Sequence, residues 1–300
     1  MISATLMTTD LEILREQINR SLDKHLPRQS EIAQAVTDAM RHAVLGGGKR
    51  IRPMLVCATS EAFGKEATPA LPVACAIEFI HAYSLIHDDL PAMDDDEVRH
   101  GLPSTHIAYG EANAILAGDS LHSLAFKTIA AAPEHSAETK LVMIETLAEA
   151  AGWAGMAGGQ CLDIEAEGRH LSLGELQVLH GAKTGALIRA AVQMGCHCAG
   201  DAAASKEQFL LLSEFGNRIG LAFQVMDDVL DVTQSTEQLG KPAGSDEALE
   251  KNTFPKLMGI EQARELAHTL VKEGMALLQR SRLKTDTLEQ IAQQVVNRDH

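Results

Sequence analysis

Aromatic side chains are scarce in this chain, at 3% of 300 residues against 45% apolar residues overall. A core with so few rings must be aliphatic and rich in Ala and Met, which favours helices over sheets. Positive charge is short as well: 26 Lys and Arg stand against 41 Asp and Glu, a formal charge of -15. Nucleic-acid binders carry the opposite balance, so a phosphate backbone is not an expected partner. Any phosphate must be met by a few placed basic side chains or by metal. The five cysteines (Cys57, Cys75, Cys161, Cys196, Cys198) are odd in number and form no CxxC pair. Neither a disulfide framework nor a zinc ribbon is indicated, and reduced cytosolic thiols fit. The N-terminus, MISATLMTTDLEILREQ, meets charged residues too soon for a secretory segment, and no stretch of about 18 residues reads as a continuous apolar span. A soluble cytoplasmic protein without a membrane span is expected.

Strand-period alternation is also missing beyond a few residues, whereas helical spacing recurs throughout. Leu11, Leu14, Ile18 and Leu22 mark a helix over 10–26 that Pro27 closes, and Ile32, Ala35, Val36, Ala39, Met40 and Ala43 mark one over 31–45. Further helices are expected from Pro53 to about Gly64, from Pro69 to Leu90, over 111–131 and over 137–156. Gly158-Gly159-Gln160 reads as a break. Ser172 with Glu175, and Ser205 with Gln208, have capping-box spacing and start two more helices. The first reaches a polar Lys183-Thr184-Gly185 and the second runs through Leu230. A loop from Leu239 to Thr253 precedes helices over 261–281 and 286–296. With no repeat or linker, residues 1–300 read as one all-helical domain.

Two acidic clusters interrupt this pattern. In HAYSLIHDDLPAMDDDEVRHG, residues 81–101, five carboxylates (Asp88, Asp89, Asp94, Asp95, Asp96) fall within nine positions. Pro91 should stop the helix near Leu90, leaving Asp88 and Asp89 in its last turn, where they oppose the helix dipole at about 0.3–1 kcal/mol each. A single acidic cluster reads most simply as a solvated loop. The second, Asp227, Asp228 and Asp231, also ends an apolar helix, with Gln224 one turn earlier. Two such clusters far apart in sequence are best explained by a shared cavity. Oxygen donors without nearby cysteine pairs favour Mg²⁺, which takes a few carboxylates plus substrate phosphates. Gly46-Gly47-Gly48 followed by Lys49, Arg50 and Arg52 is either an ordinary helix end or a backbone able to approach a phosphate. It is not a Walker A loop. His81 shares a helical face with Asp88.

These residues resemble the bacterial short-chain trans-isoprenyl diphosphate synthases. GGGKRIRP, HAYSLIHDDLPAMDDDEVRHGLPS, NAILAGD, GGQCLDI, KTGALI, FQVMDDVLD and KNTFP occur in that family's order along nearly the whole chain. The resemblance implies an all-α helical bundle of the isoprenoid synthase type with a central cavity. It also implies head-to-tail condensation of isopentenyl diphosphate with dimethylallyl or geranyl diphosphate.

By the same resemblance Asp88, Asp94 and Asp227 hold three Mg²⁺ ions, with Asp89, Asp228 and Asp231 assisting. Arg99, Lys183 and Lys241 hold the allylic diphosphate. Thr184 and Gln224 turn oxygen dipoles to the allylic cation, and Lys49, Arg52 and His81 hold isopentenyl diphosphate. Where the family has a second arginine this chain has His100, so weaker and more pH-sensitive binding of isopentenyl diphosphate is expected. Tyr83, about 7.5 Å above Asp88 along the helix, with Ser84 beside it, resembles farnesyl-forming rather than longer-chain members. Three rivals remain: a geranylgeranyl-forming member, a class I terpene cyclase and a silent partner subunit. A homodimer is implied, with the helix over 111–131 as its interface.

Overall fold

The computed structural model describes residues 2–200, 203–234 and 251–297, with side chains from residue 10 onward. The chain folds into helices α1 (Ile2–His25), α2 (Gln34–Leu45), α3 (Ile51–Ala62), α4 (Leu71–Asp88), α5 (Thr105–Tyr109), α6 (Glu111–Ala131) and α7 (Ala137–Ala151). There follow α8 (Met156–Glu165), α9 (Leu173–His180), α10 (Ala186–Cys198), α11 (Lys206–Thr233), α12 (Phe254–Met258), α13 (Ile260–Ser281) and α14 (Asp286–Val296). The centre is formed by α4, α10 and α11. Helix α4 lies against α3 and α6, α10 against α3 and α11, and α11 against α13. Alanines make this closeness possible: Ala114, Ala117 and Ala125 on α6, and Ala186, Ala190 and Ala191 on α10, are all buried. The rest of the core is aliphatic with Phe79, Phe215 and Phe254 as its only fully buried rings among the largest side chains.

The expected helices are present, and both capping boxes form, Ser172 with Glu175 and Ser205 with Gln208. Four departures have physical causes. Helix α2 starts at Gln34, so Ile32 lies before it and is 97% exposed instead of joining the apolar face. Thr68–Asp88 is long and apolar enough to cross a membrane by composition, contrary to the sequence expectation, yet it packs as the central helix of the bundle. A two-stranded hairpin pairs Val98–Arg99 with Leu102–Pro103. Its two-residue turn, His100-Gly101, has both φ angles positive, 54° and 77°, the signature of a primed turn. Two-residue strands are too short to leave a period in the sequence.

The fourth departure matters most for the site. Gly158-Gly159-Gln160 does not break the chain but lies inside α8. Glycine is needed there for packing: a Cβ on Gly159 would fall 2.2 Å from the Lys183 backbone nitrogen. Lys183 itself sits in a π-helical turn, Gly181–Gly185, inserted between α9 and α10. Such wide turns redirect side chains within a continuous helix and are frequent at functional positions. Helix α8 thus touches backbone to backbone with the turn that aims Lys183 and Thr184. Gly159→Ala should therefore destabilise the fold by about 1–3 kcal/mol through forced backbone separation. Urea unfolding checks this, and a change under about 0.5 kcal/mol would contradict the packing described.

Candidate active site

A cavity of about 720 Å³ opens where the C-terminal end of α4, the middle of α8, the π-helical turn and α11 converge. Its wall includes Tyr83, Ser84 and Asp88 from α4, Met156 and Gln160 from α8, Lys183 and Thr184 from the turn, and Phe223 and Asp227 from α11. An adjoining lobe of about 250 Å³ is bordered by Lys49, Arg52, His81 and His100. Arg52, His81, Arg99, His100 and Asp227 belong to both walls, whereas Lys49 borders the smaller lobe and Lys183 the larger. One aspartate from each cluster thus faces a single space, and most of the basic residues border both of its halves.

The aspartates occupy different environments. Helix α4 ends at Asp88, and the backbone then turns back so that the Asp94 N–H donates to the Asp88 carbonyl at 2.8 Å. Asp88 is pushed up to about 6, first by burial and further by Asp94 and Asp89, against the pull of Lys183 and Arg99. Asp89 is 3% exposed and is gripped by Arg99, whose Nη2 also donates to Asp96 at 3.0 Å. Burial raises the Asp89 carboxyl even with that partner. On Arg99 burial works against the charge, but Asp89, Asp96 and Asp88 outweigh it and hold the guanidinium up. Asp228 is buried behind the cavity wall. It accepts from Gln224 Nε2 at 2.8 Å and from the Phe254 backbone N–H at 3.0 Å. Asp231 is buried one turn beyond Asp227. The oxygens of Asp89 and Asp228 are therefore engaged with protein donors, whereas Asp88 and Asp227 border the cavity.

Two lysines compensate the acidic walls. Lys183 Nζ donates to Asp163 Oδ2 at 2.6 Å, and Lys251 Nζ donates to Asp94 Oδ1 at 2.9 Å. Lys251 also stands 3.9 Å from Asp163. Burial would raise the Asp163 carboxyl, but Lys183 and Lys251 hold it below its usual value. Asp163 and Lys251 were not named as site residues from sequence, although GGQCLDI and KNTFP already contained them. Lys241 falls outside the described residues. Thr184 Oγ1 donates to Gln224 Oε1 at 2.9 Å, so the two predicted dipoles are coupled to each other.

The basic lobe separates three residues that adjoin in sequence. Arg50 is turned inward onto Glu78 at 2.6 Å, the Val44 carbonyl at 2.6 Å and Asn19 at 2.9 Å. All three still border the lobe, but Arg50 is the one held by Glu78. Arg52 Nη1 donates to His81 Nε2 at 3.2 Å, which requires a neutral imidazole. Burial first, then Arg52, His100, Arg50 and Arg99, keep His81 well below the ordinary histidine value. His100 projects from the hairpin turn over Gly47 and Gly48, where a Cβ on Gly47 would meet its Cβ at 3.2 Å. Loss of solvent around the ring, with Arg99, Arg50 and Lys49 beside it, brings His100 down to about 4. A ring brought that low is neutral near pH 7 before any diphosphate is bound beside it.

The residues fit Mg²⁺. The donors on the cavity wall are carboxylate oxygens, and Asp88 is raised first by burial and then by its neighbours Asp94 and Asp89, so a bound cation would stabilise its charged form. Among the described residues no three His, Cys, Asp or Glu groups already converge as a metal cage. That agrees with an ion completed by phosphate oxygens and water rather than held by protein alone.

An all-helical bundle with carboxylates on two facing helix ends and cations around a largely apolar cavity defines an enzyme class that handles phosphorylated apolar substrates. The chain matches the polyprenyl synthetase family over residues 33–295 and belongs to it. It is 46% identical over 294 residues to farnesyl diphosphate synthase of Escherichia coli (strain K12), covering 96% of this chain and 98% of that protein. It is 42% identical over 289 residues to farnesyl diphosphate synthase of Haemophilus influenzae, covering 96% and 97%. Its fold is similar to geranyltransferase from Helicobacter pylori complexed with magnesium and isoprenyl diphosphate, with a TM-score of 0.86, 34% identity and 96% coverage of both chains.

His180, stacked on Phe254 with centroids 5.6 Å apart, supplies a pH-dependent element of stability. Burial first, then Lys183 and Lys251, bring it down to about 4 although Asp163 pulls the other way. As pH falls below about 6.5 the unfolded chain binds a proton that the folded ring refuses, so stability is lost on acidification. His180→Leu should flatten this acid limb by up to about 3 kcal/mol between pH ~7 and pH ~4. Denaturant midpoints across that range test it, and parallel wild-type and variant curves would contradict it.

Proposed function

We propose that this chain is a Mg²⁺-dependent prenyltransferase that condenses isopentenyl diphosphate with dimethylallyl and then geranyl diphosphate to give farnesyl diphosphate. The observation that carries this reading is the placement of Asp88 and Asp227 on one cavity whose other lobe bears Lys49, Arg52 and His81. Two diphosphates can then be held side by side with their hydrocarbon ends in an apolar space. Residues 1–300 act as one catalytic domain.

Asp88, Asp94 and Asp227 would hold the Mg²⁺, three ions in all, with Asp89, Asp228 and Asp231 fixing the surrounding hydrogen bonds. When bound, the metal supplies positive charge that favours departure of the diphosphate. Lys183, Arg99 and Lys241 orient that diphosphate; the Lys183 ammonium has three donors, so it can reach a diphosphate oxygen while one stays on Asp163. The allylic C–O bond breaks with its electron pair on the leaving group. Thr184, held by Gln224, presents its hydroxyl oxygen to the cation that remains. Lys49, Arg52 and neutral His81 hold isopentenyl diphosphate in the second lobe, so that its double bond attacks the cation. A proton then leaves the acceptor carbon, with the departed diphosphate as the available base. The enclosing walls keep water from the cation and align the reactants.

Tyr83 limits the product. It lies in the cavity wall and is braced edge-to-face by His87 and His122, with centroids at 4.8 and 5.2 Å. His122 in turn meets Phe126 at 5.1 Å. Ser84 Oγ is turned to the His81 carbonyl at 2.8 Å and leaves room beside the ring. A homodimer is supported by α6, which leaves Ile115 and Leu116 exposed at 42% and 50%. The cytoplasm as its place is supported by the five cysteines, which are all free thiols.

Incubation with isopentenyl and geranyl diphosphates and Mg²⁺ should yield farnesyl diphosphate on product sizing. A predominantly geranylgeranyl product would make the longer-chain reading correct, a cyclic terpene would make it a cyclase, and inactivity of the pure protein a silent partner. Tyr83→Ala should lengthen the product, and an unchanged length would remove Tyr83 as the floor. His100→Arg should lower the Michaelis constant for isopentenyl diphosphate at pH about 7, because it puts a fixed positive charge where the wild type has a ring that is neutral before the diphosphate binds. Equal constants for the two proteins would show that the missing charge is immaterial.

A further inference from the structure

Gln160 lies on α8 in the wall of the main cavity and is 8% exposed. Both of its amide atoms, Oε1 and Nε2, reach neither solvent nor a protein partner. A primary amide offers two donors and one carbonyl acceptor, and folded proteins rarely leave such a group buried and unpaired. Gln224, the amide singled out from sequence, is in the opposite condition. Its Oε1 accepts from Thr184 at 2.9 Å and its Nε2 donates to Asp228 at 2.8 Å.

The surroundings of Gln160 define what can complete it. Its neighbour Gly159 packs against the Lys183 backbone, so Gln160 stands beside the turn that carries the Lys183 ammonium and the Thr184 hydroxyl. Met156, Ala157 and Ile164 line the cavity from the same helix. A hydrocarbon tail cannot satisfy an amide. The polar end of an allylic diphosphate beside Lys183 can.

We propose that Gln160 is a catalytic residue that touches the allylic diphosphate at the bond that breaks, Nε2–H donating to a diphosphate oxygen and Oε1 turned to the allylic carbon. The inference rests on the prenyltransferase function proposed above. When the C–O bond breaks, its electron pair goes to the diphosphate and the carbon becomes positive. The amide dipole is positive at nitrogen and negative at oxygen, so it is matched to both developing charges. Its attraction grows as they separate and therefore stabilises the transition state more than the bound substrate. No proton or electron pair moves to Gln160.

Two variants test this. Gln160→Met keeps the side-chain volume and removes both polar atoms. Gln160→Glu keeps the shape and replaces the donor with a negative charge. With isopentenyl and geranyl diphosphates and Mg²⁺, Gln160→Met should lower kcat by about tenfold or more, equivalent to about 1.4 kcal/mol. Its KM values should stay within about threefold of wild type and its Tm should be equal or higher, because an unpaired buried amide has been removed. Gln160→Glu should lower kcat further, since its charge repels the departing diphosphate. A fluorinated geranyl diphosphate, whose cation is harder to form, should widen the gap between wild type and Gln160→Met. Wild-type kcat in Gln160→Met would overturn the proposal and leave the amide with bound water only. Loss of kcat together with Tm in both variants would assign Gln160 a structural role instead. Absence of any prenyl product from the wild type would overturn the functional reading itself, a result separate from any difference between the variants.

Discussion

The structure is governed by like charges brought together at helix ends. Two carboxylates about 4 Å apart repel by roughly 4 kcal/mol at an effective dielectric near 20, several times the cost of one carboxylate against a helix dipole. The end of α4 therefore holds its aspartates only because cations are supplied from other elements. Arg99 arrives from the hairpin to Asp89 and Asp96, and Lys251 arrives from the segment before α12 to Asp94. Lys183 arrives from the π-helical turn to Asp163. Asp88 receives no direct ion pair of this kind among the described residues, and burial, with Asp94 and Asp89 adding to it, raises its carboxyl against the pull of Lys183 and Arg99. The site is thus partly neutralised by residues that can also reach substrate.

Much of the remaining architecture positions those cations. Gly159 lets α8 approach the Lys183 backbone, the π-helical turn swings Lys183 and Thr184 toward the cavity, and the primed turn at His100-Gly101 sets Arg99 against Asp89. Arg50 shows the converse. Its charge is consumed by Glu78, and the buried pair joins α3 to α4 beneath the basic lobe. Breaking such a pair from one side costs about 3–5 kcal/mol, so Arg50 serves the scaffold rather than the ligand.

The bundle was readable in the sequence because helical spacing, capping boxes and the scarcity of aromatics all agree on it. Asp88 and Asp227 were readable because Pro91 and the apolar face of α11 leave them at cavity-facing positions. What could not be read required contacts between distant segments. The pattern Gly158-Gly159-Gln160 looks like a break until Lys183 is seen packed on it. Asp227 and Asp228 are adjacent in sequence, and helix geometry turns them to different sides, where Gln224 and the distant Phe254 backbone claim Asp228. Lys49, Arg50 and Arg52 look equivalent until Glu78 selects one of them. His100 looks titratable near neutrality until its burial, and then its cationic neighbours, are seen in the fold.

Coupling between metal and diphosphate is the point on which this account stands, since among the described residues the carboxylates form no finished metal cage. The direct measurement is the thermal midpoint of the protein with Mg²⁺ alone, with inorganic pyrophosphate alone and with both. The two together should raise Tm by several degrees more than the sum of the separate shifts, as expected when each ligand completes the site of the other. Equal stabilisation by Mg²⁺ alone would mean that a protein-only metal site exists and would contradict the account.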